Sequence, residues 1–331
     1  MKRKQTLKKR IVGRPLRRAS AGLIASLLAT RFAIAAPPAP LPQIPGYQAV
    51  QASRQTINML EVTAYVNGKP EAFAIDTGAS SSVMNEFEAL KAGVKPTESG
   101  SPYGQYHYTK GQTLRIAVVD DLRVGGMDFG RGPIALFSEG RSMFSLLEKD
   151  RTATKVAGLL GADILLHYKA IINVRNRQIF FPIGANHASK LGATVASMGY
   201  TRVPLRLENG RALTVPCTLG GQSGRLLVDT GAFATFLDFN LISEMHLPTQ
   251  ATAMRFGDFH GQHNEASIAR IQDLQMDTYH LPPQKLFVLG GTVLGEISRS
   301  AETRIFGVLG ADLLAVQHGI VDLEDMSLYL K

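Results

Sequence analysis

The sequence is poor in the residues on which several common protein classes depend. Among 331 residues it has one cysteine and no tryptophan, and only 19% of the residues are charged. The single cysteine, Cys217, excludes a disulfide within the chain, and its apolar neighbours predict a small core residue. So few charged residues exclude a disordered chain or a coiled coil, and the 45% of apolar residues provide enough material for packed cores. At about 150 residues per domain, the length suggests two domains.

Several catalytic and binding motifs are also absent. No H-E-x-x-H motif and no paired C-x-x-C motif occurs, so zinc binding is not supported. No P-loop and no G-x-G-x-x-G motif occurs, so nucleotide binding is not expected. The nearest approach to a G-x-S-x-G nucleophile elbow begins at Gly78 and fails at its last position, where Ser82 stands. We therefore expect neither a cofactor nor a metal.

The formal net charge of +9 is confined to the amino-terminal end. Residues 1–36 contain ten Lys or Arg and no acidic residue, so removing their charge from +9 leaves −1 for the rest of the chain. A nearly neutral remainder lacks the broad basic surface by which proteins bind nucleic acids, and we expect no nucleic-acid partner.

The same end has the three parts of a secretory signal peptide. A basic head over residues 1–18 precedes the apolar stretch Ala19–Thr30, and an A-x-A site follows at Ala33–Ala35. The stretch is shorter than the ~20 residues of a membrane-spanning helix, and Arg31 follows it. We predict that residues 1–36 are a cleaved signal peptide of a periplasmic or secreted protein with no membrane span after signal removal. An uncleaved anchor and a disordered basic tail are the alternatives.

Two features near this end stay open. Arg17 and Arg18 make a twin-arginine signal an alternative to the general secretory signal. Residues 37–55, which are rich in proline as far as Pro45, are either a linker or a pro-segment.

The rest of the sequence contains an internal repeat. Phe73–Ala79 recurs as Leu226–Ala232, and both segments carry Asp-Thr-Gly-Ala after three apolar residues, at a spacing of 153 residues. Tyr103–His107 recurs in aromatic pattern at the same spacing, and Gly158–Leu165 recurs 149 residues later. Three blocks in one order at nearly one spacing indicate duplication of a single fold.

The repeat divides the chain into two lobes. We predict an amino-terminal lobe over residues 56–183, a linker rich in Gly, Ala and Ser over residues 184–202, and a carboxy-terminal lobe over residues 203–331. Short apolar and β-branched runs make each lobe mainly β. Apolar residues at helical spacing predict helices over Ser82–Ala92 and Asp238–His246.

The two Asp-Thr-Gly turns predict a shared site. Asp76 and Asp229 each follow an apolar strand, and each precedes a Thr that can bond to a partner loop and a Gly that allows close approach. A structural turn explains each aspartate singly, but it does not explain why the whole lobe is doubled. Doubling suggests a two-fold arrangement in which the carboxyl groups meet and share a proton, so that one is a base and the other an acid.

This pattern resembles the aspartic peptidases, and D-T-G-A with the Gly-Leu-Leu-Gly-Ala-Asp block resembles their retropepsin-like branch. The resemblance covers nearly all of residues 56–331 and is to a fusion of two such lobes, as in bacterial exported proteins. It implies a mainly β fold of two homologous β-barrel lobes related by pseudo-two-fold symmetry, with the site at their interface. Since one chain carries both lobes, it implies a monomer whose partner is a peptide or protein substrate.

The resemblance also implies roles for individual residues. Asp76 and Asp229 would be the catalytic pair. The elements at residues 159–161 and 308–310, hydrophobic-hydrophobic-Gly, would support the turns from below. Thr77 and Thr230 would connect the two active-site loops to one another. Gly78 and Gly231 would complete the turns of those loops.

The flap, a β-hairpin that closes over the substrate in this family, is where the pattern weakens. The candidate segments are Ser101–Gln112 and Met254–Glu265. They contain four aromatic residues that are candidates to cover the groove: Tyr103, Tyr106, Phe256 and Phe259. The alternative is that these rings fill equivalent core positions in the two lobes. The repeated His107 and His260 are expected to be hairpin or surface residues rather than metal ligands.

The sequence therefore predicts an aspartic endopeptidase that hydrolyses peptide bonds by general acid–base activation of a water between Asp76 and Asp229. The alternative is a non-catalytic peptide-binding module of the cell envelope with the same fold, and a narrower variant is processing of one specific envelope protein. The repeated Asp163 and Asp312 are expected to be structural partners of backbone N–H groups or of an Arg rather than catalytic residues.

Overall fold

The structure, a computed structural model, describes residues 43–54, 59–109, 112–137, 156–184, 191–210, 212–257, 263–290 and 303–331. Over these ranges the chain is mainly β-sheet with a few short helices. The predicted fold class, two homologous β lobes with a pseudo-two-fold relation, is confirmed.

The elements of the first half of the chain belong to the amino-terminal lobe and to a sheet shared by both lobes. In chain order they are β1 (Tyr47–Gln51), β2 (Ser53–Arg54), β3 (Leu60–Val66), β4 (Lys69–Ile75), β5 (Val83–Asn85), α1 (Glu86–Lys91), β6 (Lys95–Pro96), β7 (Tyr106–Thr109), β8 (Gln112–Val124), β9 (Met127–Phe137), β10 (Val156–Leu160), α2 (Ala162–His167), β11 (Ile171–Asn173), β12 (Gln178–Pro182) and α3 (Leu191–Ser197).

The second half repeats much of this order. Its elements are β13 (Thr201–Pro204), β14 (Arg206–Glu208), β15 (Ala212–Leu219), β16 (Gln222–Val228), β17 (Phe236–Asp238), α4 (Phe239–Glu244), β18 (Thr249–Gly257), β19 (His263–Ile271), β20 (Gln275–Met276), β21 (Tyr279–His280), β22 (Gln284–Leu289), β23 (Ile305–Leu309), α5 (Ala311–Val316), β24 (Ile320–Asp322) and β25 (Ser327–Leu330).

Each lobe is built around a sheet in which the strand before the Asp-Thr-Gly turn is central. In the amino-terminal lobe the order is β2-β3-β4-β10-β5-β9-β8-β6, and an additional pairing of β3 with β8 closes six of these strands into a barrel. In the carboxy-terminal lobe the order is β18-β19-β22-β17-β23-β16-β15-β20-β21. Local sequence sets the hairpins: Asn67 and Gly68, both at positive φ, join β3 to β4 in the tight turn that Asn-Gly favours.

A third sheet joins the lobes and displays their two-fold relation. Its order, β1-β12-β11-β24-β25-β13, places equivalent strands symmetrically about the β11–β24 pair. These two strands are antiparallel, and Ile172 lies opposite Val321 at the centre of the pair. The buried Asn173 of β11 and Asp322 of β24 each bind a backbone N–H of the turn that follows. Desolvation raises the pKa of Asp322 to about 6.

The sheets have a main core on one face and a smaller apolar cluster on the other. Along β3, Leu60, Val62, Ala64 and Val66 face the main core, whereas Glu61 faces the opposite side. The cluster on that opposite side, here called the outer-face cluster, comprises in the amino-terminal lobe Met59, Ala74, Val83, Ala135, Phe137, Val156 and Leu159. Its counterpart in the carboxy-terminal lobe comprises Leu227, Ala234, Phe236, Phe256, Ala266, Leu289, Ile305 and Val308.

The prediction of one helix over Ser82–Ala92 is wrong in its first half. Val83–Asn85 forms a strand between β10 and β9, because three consecutive residues there are buried in the sheet. The helix begins after Asn85, whose side-chain oxygen accepts from the N–H groups of Phe87 and Glu88. The second predicted helix is likewise shorter, since Asp238 caps α4.

The segment predicted as a linker, residues 184–202, contains regular structure. Helix α3 lies within it and the first residues of β13 end it. Leu191 and Val195 are one helical turn apart and are buried in a cluster with Phe180 and Tyr329. Among the residues that the structure describes, no helix is both long and apolar enough to cross a membrane.

Cys217 is a core residue, as predicted. It lies in β15 and is 3% exposed. Burial raises the pKa of its thiol to about 12, so the thiolate that reactive cysteines require is disfavoured.

Glu61 is an unusual acid on the outer face of the amino-terminal lobe. It lies opposite Ala74 in the β3–β4 ladder, is 4% exposed, and its Oε1 atom has no hydrogen-bond partner among the described residues. Burial raises the pKa of this carboxyl to about 7. At the equivalent position of the other lobe, the hydroxyl of Thr214 accepts from Arg225 Nε at 2.6 Å. The amino-terminal lobe has Ala72 where the other lobe has Arg225, so Glu61 lacks that cation.

We predict that Glu61→Gln stabilises the protein at alkaline but not at acidic pH. In the unfolded chain Glu61 loses its proton near its ordinary pKa, whereas in the folded chain it keeps the proton until about pH 7. The wild type therefore loses stability as pH rises through this interval, and the amide variant does not.

Urea unfolding at pH 4.5 and at pH 8 measures the effect. The gain from Glu61→Gln should be larger at pH 8 than at pH 4.5 by about 1–3 kcal/mol. Glu98→Gln, which changes an exposed acid, is the matched control and should show no such difference. A gain from Glu61→Gln that is equal at both pH values would contradict the prediction.

Candidate active site

Asp76 and Asp229 lie at equivalent ends of two central strands. Asp76 follows β4 and Asp229 follows β16, and each of these strands is parallel to the hydrophobic-hydrophobic-Gly strand of its lobe. The N–H of Asp76 donates to the carbonyl of Leu160 at 3.0 Å, and that of Asp229 donates to the carbonyl of Leu309 at 3.1 Å. Each turn therefore begins from a fixed point on a buried strand.

Four hydrogen bonds connect the two turns across the lobe interface. The N–H of Thr77 donates to Thr230 Oγ1 at 3.1 Å, and the N–H of Thr230 donates to Thr77 Oγ1 at 3.0 Å. The hydroxyl of Thr77 donates to the carbonyl of Val228 at 2.7 Å, and that of Thr230 donates to the carbonyl of Ile75 at 2.8 Å. Both threonines are buried. Each hydroxyl thus serves as donor and acceptor, and the turns are held in one register.

Backbone groups fix the orientation of both carboxylates. Asp76 Oδ1 accepts from the N–H groups of Gly78 and Ala79, both at 2.9 Å. Asp229 Oδ1 accepts from the two residues that follow its own threonine, at 2.8 Å and 2.9 Å. The same oxygen is used in each turn, so the two carboxylates are held in equivalent orientations.

Each carboxyl group lies against the glycine of the opposite turn. A Cβ atom added to Gly78 would stand 2.3 Å from Asp229 Cγ, and one added to Gly231 would stand 2.3 Å from Asp76 Cγ. The sequence predicted that glycine allows backbone to approach backbone, but it is the opposite carboxylate that occupies this space. The two acids are therefore brought to one place, where Asp76 is 6% exposed, Asp229 is half-buried and Gly78 is exposed.

The repeated Asp163 and Asp312 accept hydrogen bonds from the segments that follow the two turns. Asp163 accepts from the N–H and the hydroxyl of Ser82 at 2.9 Å and 2.7 Å. Asp312 makes the equivalent bonds with Thr235 at 2.8 Å and 2.7 Å, and desolvation raises its pKa. The Ser82 hydroxyl in turn accepts from the N–H of Gly161 at 2.9 Å. Both aspartates are partners of backbone N–H groups, as the sequence predicted.

The candidate flap of the amino-terminal lobe is a β-hairpin made by β7 and the first part of β8. Tyr106 is 52% exposed and lies opposite Arg115, which pairs with Glu86 at 2.9 Å. Tyr103 is 36% exposed, with the Arg131 guanidinium 5.9 Å from its ring centre. Neither predicted tyrosine has a described contact with the Asp76 turn.

A residue that the sequence did not single out for the site makes that contact. His107, the neighbour of Tyr106, lies on the other face of the hairpin, and its Nε2 is 3.1 Å from the hydroxyl oxygen of Ser81. The internal repeat indicates this contact only weakly, because the position equivalent to Ser81 in the carboxy-terminal lobe is Ala234, which has no hydroxyl.

The carboxy-terminal hairpin behaves differently. Phe256 is 7% exposed; its ring stacks on Phe233 at 5.0 Å and meets Phe287 edge-on at 5.1 Å. It is thus a member of the outer-face cluster, which is the alternative that the sequence left open for these rings. Phe259 and His260 lie outside the described residues. Across the described ranges, no group of three or more His, Cys, Asp or Glu side chains is arranged to hold a metal ion.

Two equivalent β lobes that join paired Asp-Thr-Gly turns at their interface define the aspartic-peptidase class of protein. The sequence model of the aspartyl protease family matches this chain twice, over residues 62–164 and 215–313. The two matches together cover more than half of the chain, one in each lobe. The chain belongs to the aspartyl protease family, and the predicted retropepsin-like resemblance is confirmed.

Several solved structures are similar to the chain. Basic 7S globulin from soybean has 9% identity and a TM-score of 0.43, over 87% of this chain and 95% of that one. A retropepsin-like aspartic protease from Rickettsia conorii has 17% identity and a TM-score of 0.27, over 42% of this chain and 90% of that one. The retroviral protease-like domain of Ddi1 from Leishmania major has 16% identity and a TM-score of 0.28, over 36% of this chain and 88% of that one. No curated protein matches the chain.

We predict that the hydroxyl of Thr77, rather than its size, holds the two turns together. Thr77→Val keeps the shape of the side chain but leaves the N–H of Thr230 and the carbonyl of Val228 without their partner. Because these groups are buried, the free energy of unfolding should fall by about 2–4 kcal/mol.

Thr77→Ser is the matched control, since it keeps the hydroxyl and loses only a methyl group, at a cost of about 1 kcal/mol. Denaturant unfolding of the wild type and the two variants makes the comparison. Equal losses for the Val and Ser variants would show that the hydroxyl has no such role.

Proposed function

We propose that this chain is a single-chain aspartic endopeptidase that hydrolyses peptide bonds with a water held between Asp76 and Asp229. The observation that carries the proposal is the crossed contact in which each carboxyl group lies against the glycine of the opposite turn. We infer that the two carboxyl groups share one proton, because two like charges brought into one site repel each other.

The shared proton supplies both halves of the chemistry. The ionised carboxylate takes a proton from the water, whose oxygen attacks the carbonyl carbon of the peptide bond. The protonated partner gives its proton to the carbonyl oxygen, which forms a neutral tetrahedral intermediate. The intermediate then breaks its C–N bond: the nitrogen takes up the proton that the first carboxylate received from water, and one hydroxyl returns its proton to the second carboxylate. An acid and an amine leave, and the pair again holds one proton. No covalent bond to the protein forms.

Apolar surface borders the acids in both lobes. Ala79, next to Gly78, packs against the outer-face cluster of its lobe, and Ala232 and Phe233 pack against the cluster of theirs. An extended peptide that crosses the interface would place its side chains against these half-buried residues, Ala79 in one lobe and Ala232 and Phe233 in the other. Peptides with apolar residues near the scissile bond are therefore the substrates that we propose.

We predict that Asp76→Asn and Asp229→Asn each abolish peptide cleavage on their own, lowering kcat/KM by at least about a thousandfold. An amide cannot exchange the shared proton, so one lost carboxyl disables the pair. Since Asn retains an oxygen that accepts from the turn N–H groups, the fold should persist. The assay is digestion of a mixed peptide library, read by mass spectrometry from acid to neutral pH.

The exposed Asp277, which has positive φ, gives a matched control, because Asp277→Asn makes the same chemical change at a position that suits Asn. It should cleave as the wild type does. If both site variants also cleave at the wild-type rate, the acid pair is not catalytic. If the wild type binds peptides tightly and releases them uncut, the protein is a peptide-binding module instead.

We also propose that the protein is exported and works as a monomer. The support is the signal-like sequence of residues 1–36 and the presence of both acids in one chain. Amino-terminal sequencing of the mature protein from the cell envelope should begin shortly after Ala35, and light scattering should give the mass of one chain. A mature chain that retains its basic head, or a dimeric mass, would contradict the corresponding part.

A further inference from the structure

The two lobes attach their hairpins to their turns by different means. In the carboxy-terminal lobe, Phe256 of β18 stacks on Phe233, which follows the Asp-Thr-Gly-Ala sequence. In the amino-terminal lobe the residue at the place of Phe233 is Ser80, so that stack cannot form. A hydrogen bond between His107 and Ser81 connects the amino-terminal hairpin to its turn.

The register of the hairpin shows that His107 points toward the turn. His107 lies opposite Leu114 in the β7–β8 ladder, so their side chains share one face. Leu114 packs against the outer-face cluster, as does Ala79 of the turn. Tyr106 lies one residue away and shares the opposite face with Arg115.

The contact joins the hairpin directly to the segment that follows the Asp76 turn. A two-stranded hairpin is marginal without packing on one face, and Ser81 is only five residues beyond Asp76. A serine hydroxyl can donate or accept, so the bond can form with either tautomer of His107 and also with the imidazolium.

We propose that His107 is a positioning residue, whose hydrogen bond with Ser81 holds the amino-terminal hairpin over the Asp76 turn in readiness for substrate. This rests on the proposed function, since a held hairpin covers the peptide and excludes water from the acids. A hairpin that must first be ordered by substrate would bind it more weakly, so the contact acts mainly on KM.

Hydrogen exchange tests the contact without reference to catalysis. In the full chain without substrate, His107→Ala and Ser81→Ala should each speed amide exchange in Tyr106–Thr109 and in the paired residues of β8. The double variant should exchange no faster than either single variant, because one bond is lost in all three. Unchanged exchange in both single variants would overturn the proposal.

Peptide cleavage tests the consequence. Each single variant should lower kcat/KM by about three- to tenfold, mostly through KM, and the double variant should lose no more than either. His107→Gln, whose amide reaches about as far as Nε2, should restore most of the loss. His280→Gln, which removes an exposed histidine of β21, is the control and should change nothing.

The outcomes separate this inference from the proposed function. If no form of the protein cleaves peptides, the proposed function fails, while hydrogen exchange still decides whether the bond holds the hairpin. If the wild type cleaves and the losses from the two single variants simply multiply in the double variant, the residues act separately and the proposal is wrong. A rise in kcat/KM on removing His107 would also overturn it, because the bond would then hold the hairpin in the way.

Discussion

The whole site depends on holding two aspartates, 153 residues apart in sequence, at one fixed separation. Four buried hydrogen bonds between Thr77, Thr230 and the strands before them supply that constraint. A hydroxyl is needed because each one accepts from the N–H of the opposite threonine and donates to the carbonyl two residues before that threonine. Glycine is needed after each threonine because the opposite carboxylate fills the volume of a Cβ atom. The motif is thus required by contacts between the lobes rather than within them.

The constraint works only if the lobes themselves are rigidly related. The shared sheet provides this, because β11 and β24 pair directly and bring equivalent strands of each lobe beside one another. Each turn is also tied to a buried strand of its own lobe through the carbonyl of Leu160 or Leu309. The acids are therefore positioned by hydrogen bonds to buried strands together with the N–H groups of their own turns.

Within this symmetry the two lobes differ beside their Asp-Thr-Gly turns. The carboxy-terminal turn continues with Phe233, which stacks on Phe256, whereas the amino-terminal turn continues with Ser80 and with Ser81, which is hydrogen-bonded to His107. The buried Glu61 adds to the contrast, because Thr214 and its partner Arg225 take its place in the other lobe. The carboxy-terminal turn is thus bordered by aromatic rings and the amino-terminal turn by polar groups, and under the proposed function the two sides of a bound peptide would meet different surfaces.

The sequence by itself determined the duplication, the mainly β lobes and the pairing of the two Asp-Thr-Gly turns, because these follow from short motifs repeated at one spacing. The spacing of apolar residues was a less reliable guide to secondary structure where burial decided between helix and strand. Val83–Asn85 lies in a segment with helical spacing yet forms a strand, because it pairs with β10 on one side and β9 on the other. Only the tertiary structure decided that His107 rather than Tyr106 faces the turn. That outcome depends on the register of one hairpin, and a shift of a single residue would exchange the two faces.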